Sequence, residues 1–465
     1  MLHLTLNKTK KRTYTRQIYR EIREKILSGE LTAGEKLPSS RELCEQLRVA
    51  RNTVLTAYEM LAAEGAVNSV AGSGFYVGGG VHITPPQVPI TQRQTASLSA
   101  LVIPEGTVNF DSGLPALDLF PREKWNRTVS HAFLDAPVSA LGYDDPQGRL
   151  ELRSVLCAYL KKTRGISCTP EQVLITAGAK QGLTLAAKCL LSADSQVWME
   201  NPSNANVQQI FSYHTRHIVP FDVDAQGIRP EDFPQEGTPA LIFVTPSHQF
   251  PLGGILPIRR RIALVEFARK SGAYLLEDDY DSEFGYDAPP AASLFELDSR
   301  RVLYVGTFSK VLFPSIRLGY LVAPANLVPR LRELKRLADH HANSVYQLAL
   351  LRFLESGELE RQIRRMKRVY RKRRDLLITL LRQYFGEQVR ISGAAAGMHL
   401  IADFPGVSFP EERIRRLLRA GVYLVPVEQH SLTKGDHLGQ VILGYASLSR
   451  QEMERGLALL KTECT

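Results

Sequence analysis

Residues 273–284 read AYLLEDDYDSEF, and residues 301–320 read RVLYVGTFSKVLFPSIRLGY. Each opens on a short apolar run with polar residues at its end, the pattern of a strand buried on both faces. Three more such runs, VLIT at 173, VWME at 197 and ALIFVT at 240, alternate with helical stretches. Strands alternating with helices predict an α/β fold with a mostly parallel sheet covered on both faces. Beyond a charge-rich helical stretch over 327–384, short strands in MHLIADF, VYLVPV and VILGYA and a last helix near 449–463 predict a smaller α+β part. The large part is placed at about 109–340 and the small part at about 341–465.

The ends of these strands carry the chemistry. Asp278 and Tyr280 stand two apart and so emerge on one side of their strand. A carboxylate there can keep a pyridine nitrogen protonated, and a phenol can hydrogen-bond a ring hydroxyl. A bare Asp-Asp-Tyr-Asp string reads equally well as an acidic strand end in solvent. Lys310 follows the strand RVLYVGT, with Ser309 before it and Arg317 seven residues on. A lysine desolvated there and crowded by a second cation has a lowered pKa and can form a Schiff base with an aldehyde, while the arginine can fork onto a phosphate. In TAGAKQGL (176–183) a helix opens directly after the strand VLIT. The N–H groups of Gly178, Ala179 and Lys180 can then cradle a phosphate against the helix dipole.

Residues 15–77 form a different kind of unit. A helix over about 15–28 places Ile18, Ile22, Ile26 and Leu27 on one face and stops at Gly29. A second begins at SSRELCEQL, where Ser39 and Glu42 stand at capping-box spacing. A third runs from about Arg51 to Glu64, and VNSVAGSGFYV (67–77) reads as two short strands joined by Gly72-Ser73-Gly74. Arg41 lies near the start of the second helix, and Arg51, Asn52 and Thr53 start the third, where a recognition helix meets bases and backbone. Ser39, Ser73 and Gly74 are further candidate phosphate contacts. Residues 1–80 hold twelve Lys or Arg and eight Asp or Glu, a net charge of +4, and the 465-residue chain carries +10. That balance favours an anionic partner, although ordinary surface charge accounts for it as well.

Between these units, residues 79–108 turn to Gly, Pro, Gln and Thr with little periodicity, the composition of a flexible linker after a 1–78 domain. The five cysteines are scattered and contain no Cys-x-x-Cys pair, which suggests a reducing cytoplasm and neither a disulfide framework nor a metal site. The N-terminal apolar run is too short and interrupted for a signal peptide, and no run of about 18 apolar residues follows, so no membrane association is expected.

The run KLPSSRELCEQLRVARNTVLTAYEMLAAEGAV (36–67) followed by GSGFYV resembles the winged helix-turn-helix of GntR regulators. Ala50 stands where that family usually has a serine that can cap the recognition helix. Residues 108–465 resemble fold-type I aminotransferases, and the whole chain is similar to the MocR (GabR-like) branch of GntR regulators. The resemblance implies pyridoxal 5'-phosphate as cofactor, with Lys310 as the internal aldimine lysine, Asp278 beside the pyridine nitrogen and Tyr280 beside the ring hydroxyl. Arg317 and the 178–180 loop would hold the phosphate. In LGYDDPQGRLELR (141–153), Tyr143 would reach the phosphate in a neighbouring subunit, which implies a homodimer, with a domain-swapped arrangement as one form of it.

Four positions depart from that pattern. Asn204 stands where an aromatic residue usually stacks on the ring, and Phe250 where aminotransferases have an Asn that contacts the ring hydroxyl. Ile442 replaces the arginine that grips a substrate α-carboxylate, and isoleucine cannot make that bidentate pairing. Asn206 replaces an arginine of GABA-responsive relatives. The expected function is a sequence-specific DNA-binding transcription regulator whose aminotransferase-like domain senses a small molecule through Lys310, either pyridoxal phosphate itself or an amino compound. The alternative is a working aminotransferase with an accessory DNA-binding domain. Operator, target genes and direction of regulation have no signal in the sequence.

Overall fold

A computed structural model describes residues 13–80, 103–286 and 292–464, with Leu2, Leu4 and Leu6. Most of the expected linker, 81–102, lies outside them. The chain divides into two compact units, Met1–Leu101 and Val102–Thr465, and each is described by itself. Among the described residues no helix is long and apolar enough to cross a membrane.

The smaller unit is three helices, Tyr14–Leu27, Ser40–Leu47 and Arg51–Ala63, then a hairpin of Val67–Val70 and Gly74–Val77. Ile18, Ile22 and Ile26 recur every four residues, so they share one face, and all are fully buried against Leu43, Val54, Tyr58 and Leu61. Each such side chain contributes about 1.5–3 kcal/mol relative to exposure. Tyr58 also anchors the turn into the second helix, because its hydroxyl donates to the Pro38 carbonyl (2.9 Å) while its ring packs on Phe75.

The larger unit is built on an eight-stranded sheet. In spatial order its strands are Val173–Thr176, Gly319–Val322, Val302–Thr307, Tyr274–Asp279, Leu241–Val244, Gln196–Asn201, His217–Asp224 and Gly227–Ile228. Four of the seven junctions are parallel. Alternate residues of one strand enter different cores: Leu275, Val302 and Tyr304 pack on one face, and Leu276, Leu303 and Val305 on the other. Burial on both faces is why these strands read as unbroken apolar runs.

Three strands of this sheet escaped the sequence reading, as did Val108–Asn109 and Arg390–Ser392 outside it. His217–Asp224 contains Pro220 and is at most half-buried along its length, so it lacks the apolar signature; Gly227–Ile228 is only two residues long. Gly319–Val322 opens on a glycine and runs antiparallel to both neighbours, so no α-helix separates it from the strand before it. Two reversals restore direction, so Val173–Thr176 ends at the same edge of the sheet as the parallel strands.

The smaller part joins Arg390–Ser392, His399–Asp403, Gln440–Gly444 and Val425–Pro426 in an antiparallel sheet. Two boundaries differ from the sequence reading. Val108 and Asn109 pair in parallel with Val422 and Tyr423, so the chain enters this unit as a strand beside the C-terminal part, and residues 103–108 belong to the unit rather than to a linker. The helix Ser344–Glu355, placed with the small part on sequence order, packs on the Arg122–Leu134 and Leu150–Arg164 helices of the large part. The following helix, Glu358–Phe385, buries Leu359, Gln362, Met366, Tyr370, Arg374, Leu377, Leu381 and Phe385 at spacings of three and four.

Candidate functional site

Ligand sites in open α/β sheets form outside the C-terminal ends of the strands, and the candidate residues converge there. A cavity of about 500 Å³ is lined by Asp278, Tyr280, Lys310, Asn204, Lys180 and Phe250, with Asp111, Gly113, Tyr423, Val425, His430 and Ile442 among its other walls. Lys310 is drawn inward, its Nζ donating to the Gly113 carbonyl at 2.6 Å. Burial lowers its pKa, against the pull of Asp111, Asp281 and Asp278. The expected desolvation is therefore present, whereas the charges that act on the amine are carboxylates and not a second cation.

The period of two in the Asp-Asp-Tyr-Asp run sorts its side chains. Asp278 and Tyr280 face the cavity, while Asp279 turns away to accept from the Arg164 guanidinium (2.5 Å), the Tyr304 hydroxyl (2.5 Å) and Ser282 (2.8 Å). Asp278 is buried, and its Oδ1 has no hydrogen-bond partner. Burial, reinforced by Asp279 and opposed by Lys310, pushes its carboxyl up to about 7. Tyr280 donates to the His248 carbonyl at 3.0 Å and also lies 3.0 Å from His248 Nδ1. That nitrogen faces Asp281 Oδ2 at 3.0 Å; burial alone would lower the His248 pKa, but Asp281 overrides it and holds it raised. His248 and Asp281 had no signal in the sequence reading, because thirty-three residues separate them and only the fold brings them together.

The phosphate candidates sit at the start of the helix Ala179–Leu190, whose N-cap is Gly178. Arg317, in a left-handed conformation (φ 51°), donates to the Ala177 carbonyl at 2.6 Å, and a Cβ on Gly178 would lie 3.1 Å from its guanidinium. Gly319 lets the two loops approach: a Cβ there would lie 2.9 Å from the Gly178 carbonyl carbon. Ala177 N donates to Gln181 Oε1 (2.7 Å), which fixes the turn. Lys180 reaches the Asn206 side chain at 3.1 Å, and Asn204 caps the helix Ala205–Ser212 by accepting from Asn206 N. Ser309 is half-buried and donates its N–H to Thr307, outside the cavity lining. Tyr143 is 86% exposed, its ring against His340, and does not reach the cavity of its own chain.

These residues fit pyridoxal phosphate. The unpartnered Asp278 Oδ1 lacks a donor of the kind a protonated pyridine nitrogen supplies, the Lys310 amine is desolvated, and a glycine at 178 lets the Arg317 guanidinium lie against the helix start, although of these phosphate candidates only Lys180 lines the cavity itself.

In the smaller unit, Arg41, Arg51 and Asn52 are exposed and Thr53 is half-buried. Arg51 Nε donates to Ser40 at 3.2 Å, which ties the recognition helix to the helix before it. Ser39 accepts from Glu42 N (3.2 Å), half of the capping box. Ala50 caps the Arg51–Ala63 helix with no side-chain hydrogen bond. The expected phosphate-facing N–H of Ser73 is instead committed to the Val70 carbonyl (3.0 Å), since it closes the turn, and its hydroxyl pairs with Tyr76. Gly74 belongs to the second hairpin strand. Lys36, not among the candidate contacts named from the sequence, pairs with that strand at Tyr76 and sets its ammonium over the ring.

Residues 105–460 match the aminotransferase class I and II family and residues 14–77 the bacterial regulatory proteins of the gntR family. The chain is 32% identical to the probable rhizopine catabolism regulatory protein MocR of Rhizobium meliloti, over 96% of this chain and 93% of that one. It is 34% identical to the pyridoxine biosynthesis transcriptional regulator PdxR of Corynebacterium glutamicum, over 87% and 86%. Among solved structures it resembles LysN, the α-aminoadipate aminotransferase of Thermus thermophilus, complexed there with N-(5'-phosphopyridoxyl)-L-leucine, with a TM-score of 0.72, 28% identity and coverage of 77% of this chain and 92% of that one. An aminotransferase fold with such neighbours implies pyridoxal phosphate as the cofactor, and a GntR domain implies DNA binding. The chain thus belongs to the MocR-like branch of the GntR family, transcription regulators that join a winged helix-turn-helix to an aminotransferase domain.

Proposed function

We propose that this regulator reads the presence of pyridoxal phosphate itself, held at Lys310, and passes that state to its DNA-binding units. The observation that carries the reading is the composition of the cavity wall. Among the described residues that line it there is no arginine, and Ile442 and Val425 present apolar surface where an α-carboxylate would need a cation. Asp278, Tyr280 and Lys310 nonetheless line the same cavity and supply a partner for the ring nitrogen, the ring hydroxyl and the aldehyde.

When bound, pyridoxal phosphate supplies an aldehyde for covalent capture by an amine and an electron-withdrawing ring. The protein's own residues do the rest. Burial keeps a larger share of the Lys310 amine unprotonated and nucleophilic. Asp278 offers Oδ1 to the ring nitrogen, Tyr280 offers its hydroxyl to the ring oxygen, and Arg317 with the 178–180 N–H groups takes the phosphate. Arg41, Arg51, Asn52 and Thr53 form the base- and phosphate-facing surface, with Ser39 at its edge. An apolar run of Phe133, Leu134, Val138, Leu141, Tyr143 and Leu150 is exposed, and such a patch supports a homodimer interface, which places two winged helices at paired half-sites.

The test is absorption spectroscopy with operator binding. Added pyridoxal phosphate is expected to give a visible band that Lys310→Ala lacks, and to change affinity for an operator fragment in the wild type alone. Identical operator affinity with and without the cofactor would overturn the sensing role, and a band that survives Lys310→Ala would overturn the site. The intact Asp278–Tyr280–Lys310 set also suits transamination. Conversion of the band by common amino acids would favour that second reading.

A further inference from the structure

The helix Leu150–Arg164 carries Cys157, and the loop that leaves it for the first strand of the sheet carries Cys168. Their sulfurs lie 3.4 Å apart, with the Cys168 thiol donating toward Cys157. Both are free thiols and half-buried. They share the wall of a second cavity, about 340 Å³, with Lys161, Ile166, Ser167 and Thr169. Lys161, Ser167 and Thr169 are exposed, so a small solute reaches both sulfurs from the surface.

We propose that Cys157 and Cys168 form a reversible dithiol–disulfide site, separate from the Lys310 cavity and independent of what that cavity senses. Disulfide sulfurs sit about 2.05 Å apart, so the pair must close by roughly 1.4 Å. Cys157 is fixed by its helix, whereas Gly165 to Cys168 belong to no regular element and can supply the movement.

The two thiols are not equivalent. The hydrogen bond from Cys168 holds the Cys157 thiol below the usual range, with Arg153 assisting and burial and Glu171 opposing. The same hydrogen bond and burial raise Cys168. Cys157 is therefore the attacking sulfur and Cys168 the resolving one. With a peroxide as oxidant, the Cys157 thiolate attacks one peroxide oxygen, the O–O bond breaks, and hydroxide leaves and takes up a proton to give water. The Cys168 sulfur then attacks the resulting sulfenic acid, forming the S–S bond and expelling a second water. Two thiols lose two electrons and two protons, the peroxide gains them, and two equivalents of a small thiol reverse the change.

The bond would staple a loop already held by the same helix and by the turn before it. Arg153 donates to the Gly148 and Pro170 carbonyls, and Gln147 to those of Glu171 and Val173. That loop feeds the strand Val173–Thr176, which ends at the Gly178 turn.

The experiment uses the full-length protein, reduced, desalted and treated with hydrogen peroxide, followed by thiol titration and non-reducing peptide mapping. The five free thiols are expected to fall to three, with a linked peptide joining Cys157 to Cys168, a loss of two hydrogens and full reversal by dithiothreitol. In Cys157→Ser and Cys168→Ser, checked for folding by circular dichroism, the linked peptide disappears and no other pair replaces it. Five thiols surviving in the wild type, oxygen gained at either sulfur without a link, or a link between other cysteines or between chains would each overturn the proposal.

Discussion

The two units place their candidate functional groups on opposite sides of the solvation balance. In the winged helix, Arg41, Arg51 and Asn52 project into water from helix starts, while Ile18, Ile22 and Ile26 beneath them carry the stability. In the aminotransferase-like unit, Asp278, Tyr280 and Lys310 sit at the ends of buried strands, and Asp278 Oδ1 is left without a partner. An exposed arginine costs the free protein nothing and acts only when an anion arrives. A buried unpaired carboxylate is a standing cost that a cationic ligand relieves. The first kind of site separates stability from binding, and the second couples them.

Asp278→Asn tests the coupling at its strongest. Its carboxyl is raised from 3.8 to about 7, so the folded cofactor-free protein holds this proton more tightly than the unfolded chain. Stability is therefore lost as pH rises from about 4 through 7, by up to about 4 kcal/mol at the upper end. The amide removes that charge, so at pH 8 the cofactor-free variant is expected to melt at a higher temperature than the wild type and to show a shallower pH slope, the remainder coming from Glu200 and Glu283, whose buried carboxyls are also raised to about 7. Its affinity for pyridoxal phosphate falls ~10–100-fold with the charge-assisted hydrogen bond. A variant less stable than the wild type at pH 8 would show that Asp278 has a partner in the cofactor-free protein and that the contrast is mistaken.

The same contrast explains what could be read from the sequence. The winged helix is legible because its determinants are local: a cap, an isoleucine period of four, and a Gly-Ser-Gly turn, each within one short stretch. Asp278 and Tyr280 were legible through the period of two in their strand, and Lys310 through its place after the next one. The Gly113 carbonyl that holds Lys310 had no signal, since a backbone carbonyl looks the same in every residue. His248 and Asp281 were hidden by their separation in the chain, and the Cys157–Cys168 pair looked like two scattered cysteines until the helix and its following loop were folded together. Ser73 misled in the other direction, because the turn that displays its side chain also consumes its N–H.

Arg51→Ala is the corresponding test on the exposed side. A base- or phosphate-reading arginine is worth about 1–3 kcal/mol, so operator affinity should fall ~10–100-fold at fixed salt. Melting temperature and the visible band should hold, because among the described residues the side-chain bond lost is an exposed contact to Ser40. A matching fall in stability would mean that the Arg51–Ser40 contact braces the two helices, and the separation of roles in this unit would be less clean than its exposure suggests.

The smallest effect gives the finest discrimination. Ala50 holds the N-cap of the recognition helix in an extended conformation (φ −63°, ψ 140°) with no side-chain hydrogen bond, and it is exposed, so a larger side chain meets no wall. The Thr53 N–H already donates to the Ala50 carbonyl (2.9 Å), so Ala50→Ser should add a cap to the Asn52 N–H, or a second acceptor for Thr53, worth about 0.5–2 kcal/mol, seen as a higher melting temperature of the N-terminal unit. If operator affinity stays the same, the helix start serves the fold alone. If stability rises while affinity falls, the uncapped N–H groups are what a DNA phosphate uses, and the missing serine is a functional feature. In that case even this exposed site would hold a polar group in reserve for its ligand, as the Asp278 site does in its interior.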